Sequence, residues 1–285
     1  MIEPKVKRWR LARAAVCTWT AACLAAGSVL PSRVLAADQP EVAGVDLQLL
    51  AGPVANGIGQ AGLLVRLQPG WKTYWRYPGD SGVPPELDTT GSINVAGIDI
   101  GFPPPERSGP VNEQTIGYYH PVTLLLKVRL IDPSRPADLV VTARLGVCRD
   151  ICVPVEAALQ ARFDPQAPPD PAAEAELARA AAAVPQPVVK GDPLSVTELT
   201  RQTSAASEGV TFTVNAASEK LRDVFVEGPD GWALPLPDRK GAEGDRTTWS
   251  FALDGLPAGA HVAGTELTFT IVGTDRATVQ RWVLQ

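Results

Sequence analysis

Leu139-Val140-Val141-Thr142-Ala143-Arg144-Leu145-Gly146-Val147-Cys148-Arg149-Asp150-Ile151-Cys152-Val153-Pro154-Val155 decides the fold. Leu139 to Val147 is apolar and rich in β-branched residues, Arg149-Asp150 supplies a polar turn, and Val153-Pro154 leads into a second apolar run. That order predicts a strand, a corner and another strand, with both cysteines at the corner and near the surface. The same texture extends outward on both sides. Short alternating runs broken by Gly and Pro occupy Asp46 to Leu50, Leu63 to Leu67, Val95 to Ile100, Val122 to Leu130 and Val153 to Phe163. They predict the antiparallel strands of a sandwich.

Beyond Phe163 the composition shifts to Pro and Ala through Lys190, where Glu174 to Val184 suits two or three helical turns. A second set of runs follows: Ser195 to Thr200, Val210 to Asn215, Val224 to Glu227, Trp249 to Leu253, Leu267 to Val272 and Val279 to Leu284. The expected organisation is therefore a leader over 1–36, a first sandwich over 37–165, a linker with a short helix over 166–190 and a second sandwich over 191–285. The similar number of runs on each side suggests a duplicated module, although no residue-level repeat accompanies it.

The chain has 285 residues and a formal net charge of −5. Six basic residues (Lys5, Lys7, Arg8, Arg10, Arg13, Arg33) against Glu3 give the first 36 residues about +5, so the remainder carries about −10. An acidic chain of this kind is a poor partner for nucleic acid or anionic lipid. Gly and Pro make up about 18% without a period, which excludes collagen and fits many turns between short strands. Lys5 to Arg13 is basic, Ala14 to Leu30 is apolar, and Val34-Leu35-Ala36 offers small residues to a signal peptidase. This predicts a secretory signal peptide and a soluble protein in an oxidising space, the bacterial periplasm.

Several motifs match chemistry that their context denies. Gly57-Ile58-Gly59-Gln60-Ala61-Gly62 fits the dinucleotide fingerprint, but Leu63 to Leu67 continues as a strand, and the fingerprint needs a helix N-terminus there. Gly79-Asp80-Ser81-Gly82 resembles a serine-protease nucleophile segment. Its family order places a His before the Ser, whereas His120 and His261 both follow it, leaving a Pro-Gly-Asp-Ser-Gly turn. Cys148, Cys152 and His120 are too few for a closed zinc site, and Val153 stands where covalent haem needs a His. No cofactor is expected.

Cys17 and Cys23 fall in the leader, so Cys148 and Cys152 are the two thiols of the mature chain. A disulfide in a secreted protein is ordinarily a staple. The magnitude argues against that here. A loop of about five residues gives about 2 kcal/mol of chain-entropy stabilisation, against nearly 5 kcal/mol for about a hundred residues. A ring so short also favours strain, and strained or exposed disulfides are those readily exchanged. Arg149 favours a thiolate and Asp150 opposes it.

Gly70-Trp71-Lys72-Thr73-Tyr74-Trp75, Pro78-Gly79-Asp80-Ser81-Gly82, Pro103-Pro104-Pro105-Glu106-Arg107, Gly117-Tyr118-Tyr119-His120 and Val147-Cys148-Arg149-Asp150-Ile151-Cys152-Val153-Pro154 form an ordered set. Together they resemble the N-terminal periplasmic domain of the DsbD family of transmembrane thiol:disulfide reductases, in its ScsB-like branch, over about Val45 to Phe163. The resemblance implies an immunoglobulin-like fold carrying one redox pair. In it, Cys152 forms mixed disulfides and Cys148 resolves them. It places Tyr74 beside the cysteines and a cap loop near Glu106 to Thr115. That segment lacks the family's aromatic, for which Phe102, Tyr118 or Tyr119 can substitute. Trp71 and Trp75 are expected in the sandwich core.

The spacer between the cysteines is shorter than in better-studied members. The membrane and thioredoxin-like domains of full-length reductases find no counterpart in the sequence. The expectation is therefore a thiol:disulfide oxidoreductase reduced by a separate membrane reductase, whose acceptors are periplasmic thioredoxin-like or other disulfide-bearing proteins. Two alternatives stand beside it: a partner-binding sandwich with a structural disulfide, and a copper-handling periplasmic protein.

Overall fold

The computed structural model describes residues 44–79, 82–110, 114–203 and 208–285. The predicted leader, Ser81 of the protease-like segment and the middle of the expected cap loop lie outside the described residues. No helix among the described residues is long and apolar enough to cross a membrane.

The described residues fold into four sheets. The first joins β1 (Val45–Ala55), β2 (Ile58–Leu67), β8 (Val122–Leu130) and β5 (Val95–Gly101), in that spatial order. Facing it, the second runs β10 (Cys152–Phe163), β9 (Ala137–Cys148), β3 (Lys72–Gly79), β7 (Thr115–Tyr118) and β6 (Glu106–Ser108), with β4 (Glu86–Asp88) also paired to β9. The third orders β11 (Gln186–Pro187), β18 (Ala277–Val283), β17 (Glu266–Gly273) and β14 (Leu221–Glu227). The fourth orders β12 (Val196–Thr203), β13 (Glu208–Val214), β16 (Arg246–Ala252) and β15 (Asp238–Glu243). Two antiparallel sandwiches result, an all-β architecture. The short parallel pair β11 and β18 is the exception to the antiparallel rule.

Every run predicted as a strand lies on one. The glycine-rich segment behaves as its context requires: Asn56 and Gly57, both at positive φ, make the two-residue turn between β1 and β2, and the remaining glycines lie on the strand. Along β9, alternate residues Ala137, Leu139, Val141, Ala143 and Leu145 point into the first core. The alternation stops at Gly146, after which Val147 and Cys148 are buried as well. Both faces of the strand are covered at that end, and the cover is the site described below.

Helix α1 (Pro171–Ala183) falls in the predicted linker. Asp170 caps it by accepting from the Ala172 and Ala173 N–H groups, and Pro171 opens it. Leu177 and Ala180 are buried with Leu125 on β8, and Leu177 fills the space left by Gly52 and Gly62. Burying one leucine in this way contributes about 2 kcal/mol, and it fastens the helix to the first sandwich.

The two sandwiches share apolar and ionic contacts. Phe225 of β14 and Val272 of β17 belong to the first core, and the Phe225 ring lies 5.6 Å from that of Trp75, which has 0% exposure. Arg76 on β3 holds Glu227 through two hydrogen bonds of 2.8 and 2.7 Å. Arg107 on β6 holds Asp223 through bonds of 3.0 and 2.7 Å and also donates to the Pro237 carbonyl. The Tyr77 hydroxyl donates to the Leu234 carbonyl at 2.6 Å. The planar guanidinium groups meet their carboxylates two bonds at a time, the geometry that fixes orientation as well as distance.

Candidate functional site at the cysteine hairpin

Cys148 ends β9 and Cys152 begins β10, and the two are direct partners in the antiparallel register. Arg149, Asp150 and Ile151 make the turn between them, where the Arg149 N–H donates to the Ile151 carbonyl. The sulfurs form a disulfide, with Cα atoms 4.1 Å apart. The pairing comes from the hairpin itself: the strand register brings the two Cβ atoms onto one face. The two sulfur-bearing residues differ in access. Cys148 has 2% exposure, whereas Cys152 is exposed and Ile151 beside it has 72% exposure.

On the other side of β9, Lys72 of β3 pairs in register with Cys148, and Thr73 with Val147. Lys72, Cys148 and Cys152 therefore form a row across three adjacent strands. Side chains two residues apart on a strand share a face, so Tyr74 follows Lys72 on the same side. Its hydroxyl lies 3.2 Å from Cys148 Sγ and 3.4 Å from Cys152 Sγ. Because the sulfurs are bonded to each other, the hydroxyl is the donor. Burial first, and the neighbouring Tyr119 second, push the Tyr74 hydroxyl above its ordinary pKa, so it keeps its proton at neutral pH.

Two glycines make room for the Tyr74 ring. A Cβ on Gly146 would stand 3.2 Å from the ring, and one on Gly82 would stand 2.6 Å from it. Val83, 59% exposed, stands 3.4 Å from the place a Gly146 Cβ would take, on the side of the Tyr74 ring.

The remaining predicted residues are distributed as follows. Tyr119 stands near Tyr74, sharing a hydrogen bond with Thr115 Oγ1 at 2.9 Å. Arg149 and Asp150 pair with each other at 3.0 Å on the exposed turn, and the Arg149 guanidinium lies 5.3 Å from the Trp71 ring centroid. Tyr118 is not brought to the sulfurs. It is buried, its hydroxyl donates to the Pro103 carbonyl, and burial raises its pKa well above the ordinary value. Phe102 is likewise buried in the first core. Strand alternation turns Tyr118 inward, on the face of its register partner Thr73 and away from Tyr74. Trp75 is core as expected, and Trp71, half-buried, packs against the same core with Arg149 over its ring.

Lys72, Gly82, Val83 and Gly146 escaped the sequence reading as site residues. The signal for Lys72 was its spacing, two residues before Tyr74 on a strand. For metal binding, no group of three or more His, Cys, Asp or Glu side chains stands together among the described residues.

Fold and sulfur pair together define a β-sandwich domain that carries a disulfide at the open end of one sheet. Residues 46–164 match the family model described as thiol:disulfide interchange protein DsbD, N-terminal, so this stretch of the chain is similar in sequence to that domain. Among solved structures, the N-terminal periplasmic domain of ScsB from Proteus mirabilis is similar in fold, with a TM-score of 0.66 and 22% identity. The match covers 86% of this chain and 95% of that one, so the likeness extends over both sandwiches. No curated protein sequence matches the chain.

Proposed function

We propose that the protein is a periplasmic thiol:disulfide interchange protein that takes reducing equivalents from a membrane dithiol donor and passes them to disulfide-bearing periplasmic proteins through Cys148 and Cys152. The observation that carries this reading is the unequal access of the two cysteines beside a hydroxyl that reaches both sulfurs. A donor thiolate attacks the exposed Cys152 Sγ. A bond to the donor forms, the Cys148–Cys152 bond breaks, and its electron pair leaves on Cys148 Sγ. The donor's second thiolate then attacks its own sulfur in the mixed disulfide, Cys152 is released as a thiolate, and two electrons have moved to the pair. Running the sequence forward on an acceptor, Cys152 attacks the acceptor disulfide and Cys148 displaces the reduced acceptor.

Tyr74 supports both directions, because a hydroxyl that donates to sulfur favours the thiolate. The exposed apolar side chains of Val83, near the Tyr74 ring, and of Ile151, on the turn between the cysteines, support docking of another protein there.

Equilibration of the purified protein with glutathione redox buffers tests the reading. A reduction potential near about −200 mV or higher is expected of an exchanging pair. A value below about −300 mV identifies a structural staple and overturns the proposal.

A further inference from the structure

Lys72 stands in the same cross-strand row as the disulfide, and its ammonium is held in place. Nζ donates to Thr115 Oγ1 at 3.0 Å and lies 5.8 and 5.9 Å from the ring centroids of Tyr74 and Tyr119. The Thr115 hydroxyl is tied in turn to Tyr119. The half-buried cation is therefore fixed against the ring of the tyrosine that touches both sulfurs, reaching from a backbone position in register with Cys148 toward Thr115 on β7.

The other charged and titratable groups facing the pair can be named. From the turn come Arg149 and Asp150, which pair with each other and lie mostly in solvent, so their opposite effects largely cancel. Tyr74 contributes a protonated hydroxyl, and Val83 contributes no charge. Glu106 of β6, in register with Gly117 beside Tyr74, is exposed to solvent, and Arg144 farther along β9 is met by Glu86 and Glu156; Lys72 is the half-buried cation fixed against the Tyr74 ring.

Resting on the exchange chemistry proposed above, we infer that Lys72 is the electrostatic partner of the Cys148 sulfur: it stabilises the thiolate that departs from Cys148 when Cys152 is attacked. Lys72 touches neither sulfur. It acts through space and by fixing the ring of Tyr74, whose hydroxyl reaches the leaving sulfur. A positive charge at this range favours the anion, and a better leaving thiolate opens the bond faster.

The test uses Lys72→Met and Lys72→Arg in the full chain. Reduction of the oxidised protein by dithiothreitol is timed, and Cys148 is titrated by its ultraviolet thiolate absorbance in a Cys152→Ala background. Lys72→Met is expected to raise the Cys148 midpoint by about half to one pH unit and to slow reduction about three- to tenfold, while Lys72→Arg retains both. A midpoint and rate unchanged in Lys72→Met overturn the inference. So does an equal loss in Lys72→Arg, because it reports packing and not charge. Lys72→Gln, which keeps a polar tip for Thr115, repeats the measurement if the Met variant folds poorly. Should the wild-type disulfide resist dithiothreitol in the native protein, the exchange reading fails, while the Cys148 titration still reports the effect of Lys72.

Discussion

Tyr74 spans the face of its sheet to Cys148: its hydroxyl stands 3.2 Å from the sulfur, although 74 positions separate the two residues in sequence. A hydrogen bond to a charged partner is worth about 1.5 to 3 kcal/mol. Tyr74→Phe removes the donor and keeps the ring. It is expected to raise the thiolate pKa by about one unit and to lower the reduction potential, with little change in thermal stability. A pH titration of the reduced variant, read against its unfolding curve, checks both halves.

The ring's position depends on two missing methyl groups. A Cβ on Gly146 would approach the Tyr74 ring to 3.2 Å, which a small shift relieves, whereas one on Gly82 would stand 2.3 Å from the Pro78 ring and 2.6 Å from that of Tyr74. Gly82→Ala is therefore expected to disturb the site more than Gly146→Ala. Comparing the rates at which thiol reagents reduce the two variants decides the order.

Access assigns the cysteines their order. With Cys152 exposed and Cys148 at 2% exposure, Cys148→Ala is expected to accumulate mixed disulfides with partner proteins, and Cys152→Ala to trap none. Non-reducing electrophoresis of periplasmic extracts reads the result, and undiminished trapping by Cys152→Ala reverses the roles.

Arg107 and Asp223 bind the sandwiches together at a point where side-chain exposure is 17% and 20%. Burial pushes the Asp223 carboxyl up while Arg107 pulls it down, and the net direction is upward. Arg107→Ala leaves that carboxylate desolvated and without its cation, at an expected cost of about 2 to 4 kcal/mol. Loss of both Arg107 and Asp223 is expected to cost less than the sum of the single losses. Denaturant midpoints of the two single variants and the double variant measure the difference.

Asp192 makes stability fall in acid. Burial opposes its charge, but Arg276 and the Leu194 N–H outweigh it and hold the carboxyl below its ordinary value of 3.8. A depressed folded pKa gives stability that is full above the unfolded value and lost as the pH falls through the folded one. Asp192→Asn is therefore expected to be less stable than the wild type at neutral pH, and the gap is expected to close below about pH 4. Unfolding curves at both pH values test the sign.

The strand runs and the hairpin that bears both cysteines were legible because they are local: alternation, turn residues and a short spacing lie within a few positions of one another. Tyr74 was legible through family resemblance, and Lys72 was hidden because a lone lysine on a strand ordinarily faces solvent. Arg76, Tyr77 and Arg107 find their partners 116 to 157 positions away, a relation that no periodicity records. Tyr118 and Tyr119 are adjacent and chemically identical. Only the alternation of the chain sends Tyr118 into the core and leaves Tyr119 on the outer face near Tyr74.

Since Cys148 and Cys152 are register partners on a hairpin, the backbone ladder between β9 and β10 already sets the distance between the two sulfurs. When the covalent link opens, that ladder stays fastened, so the thiols remain aligned like the halves of an undone clasp. In the exchange proposed above, successive turnovers are therefore expected to require no refolding of the hairpin.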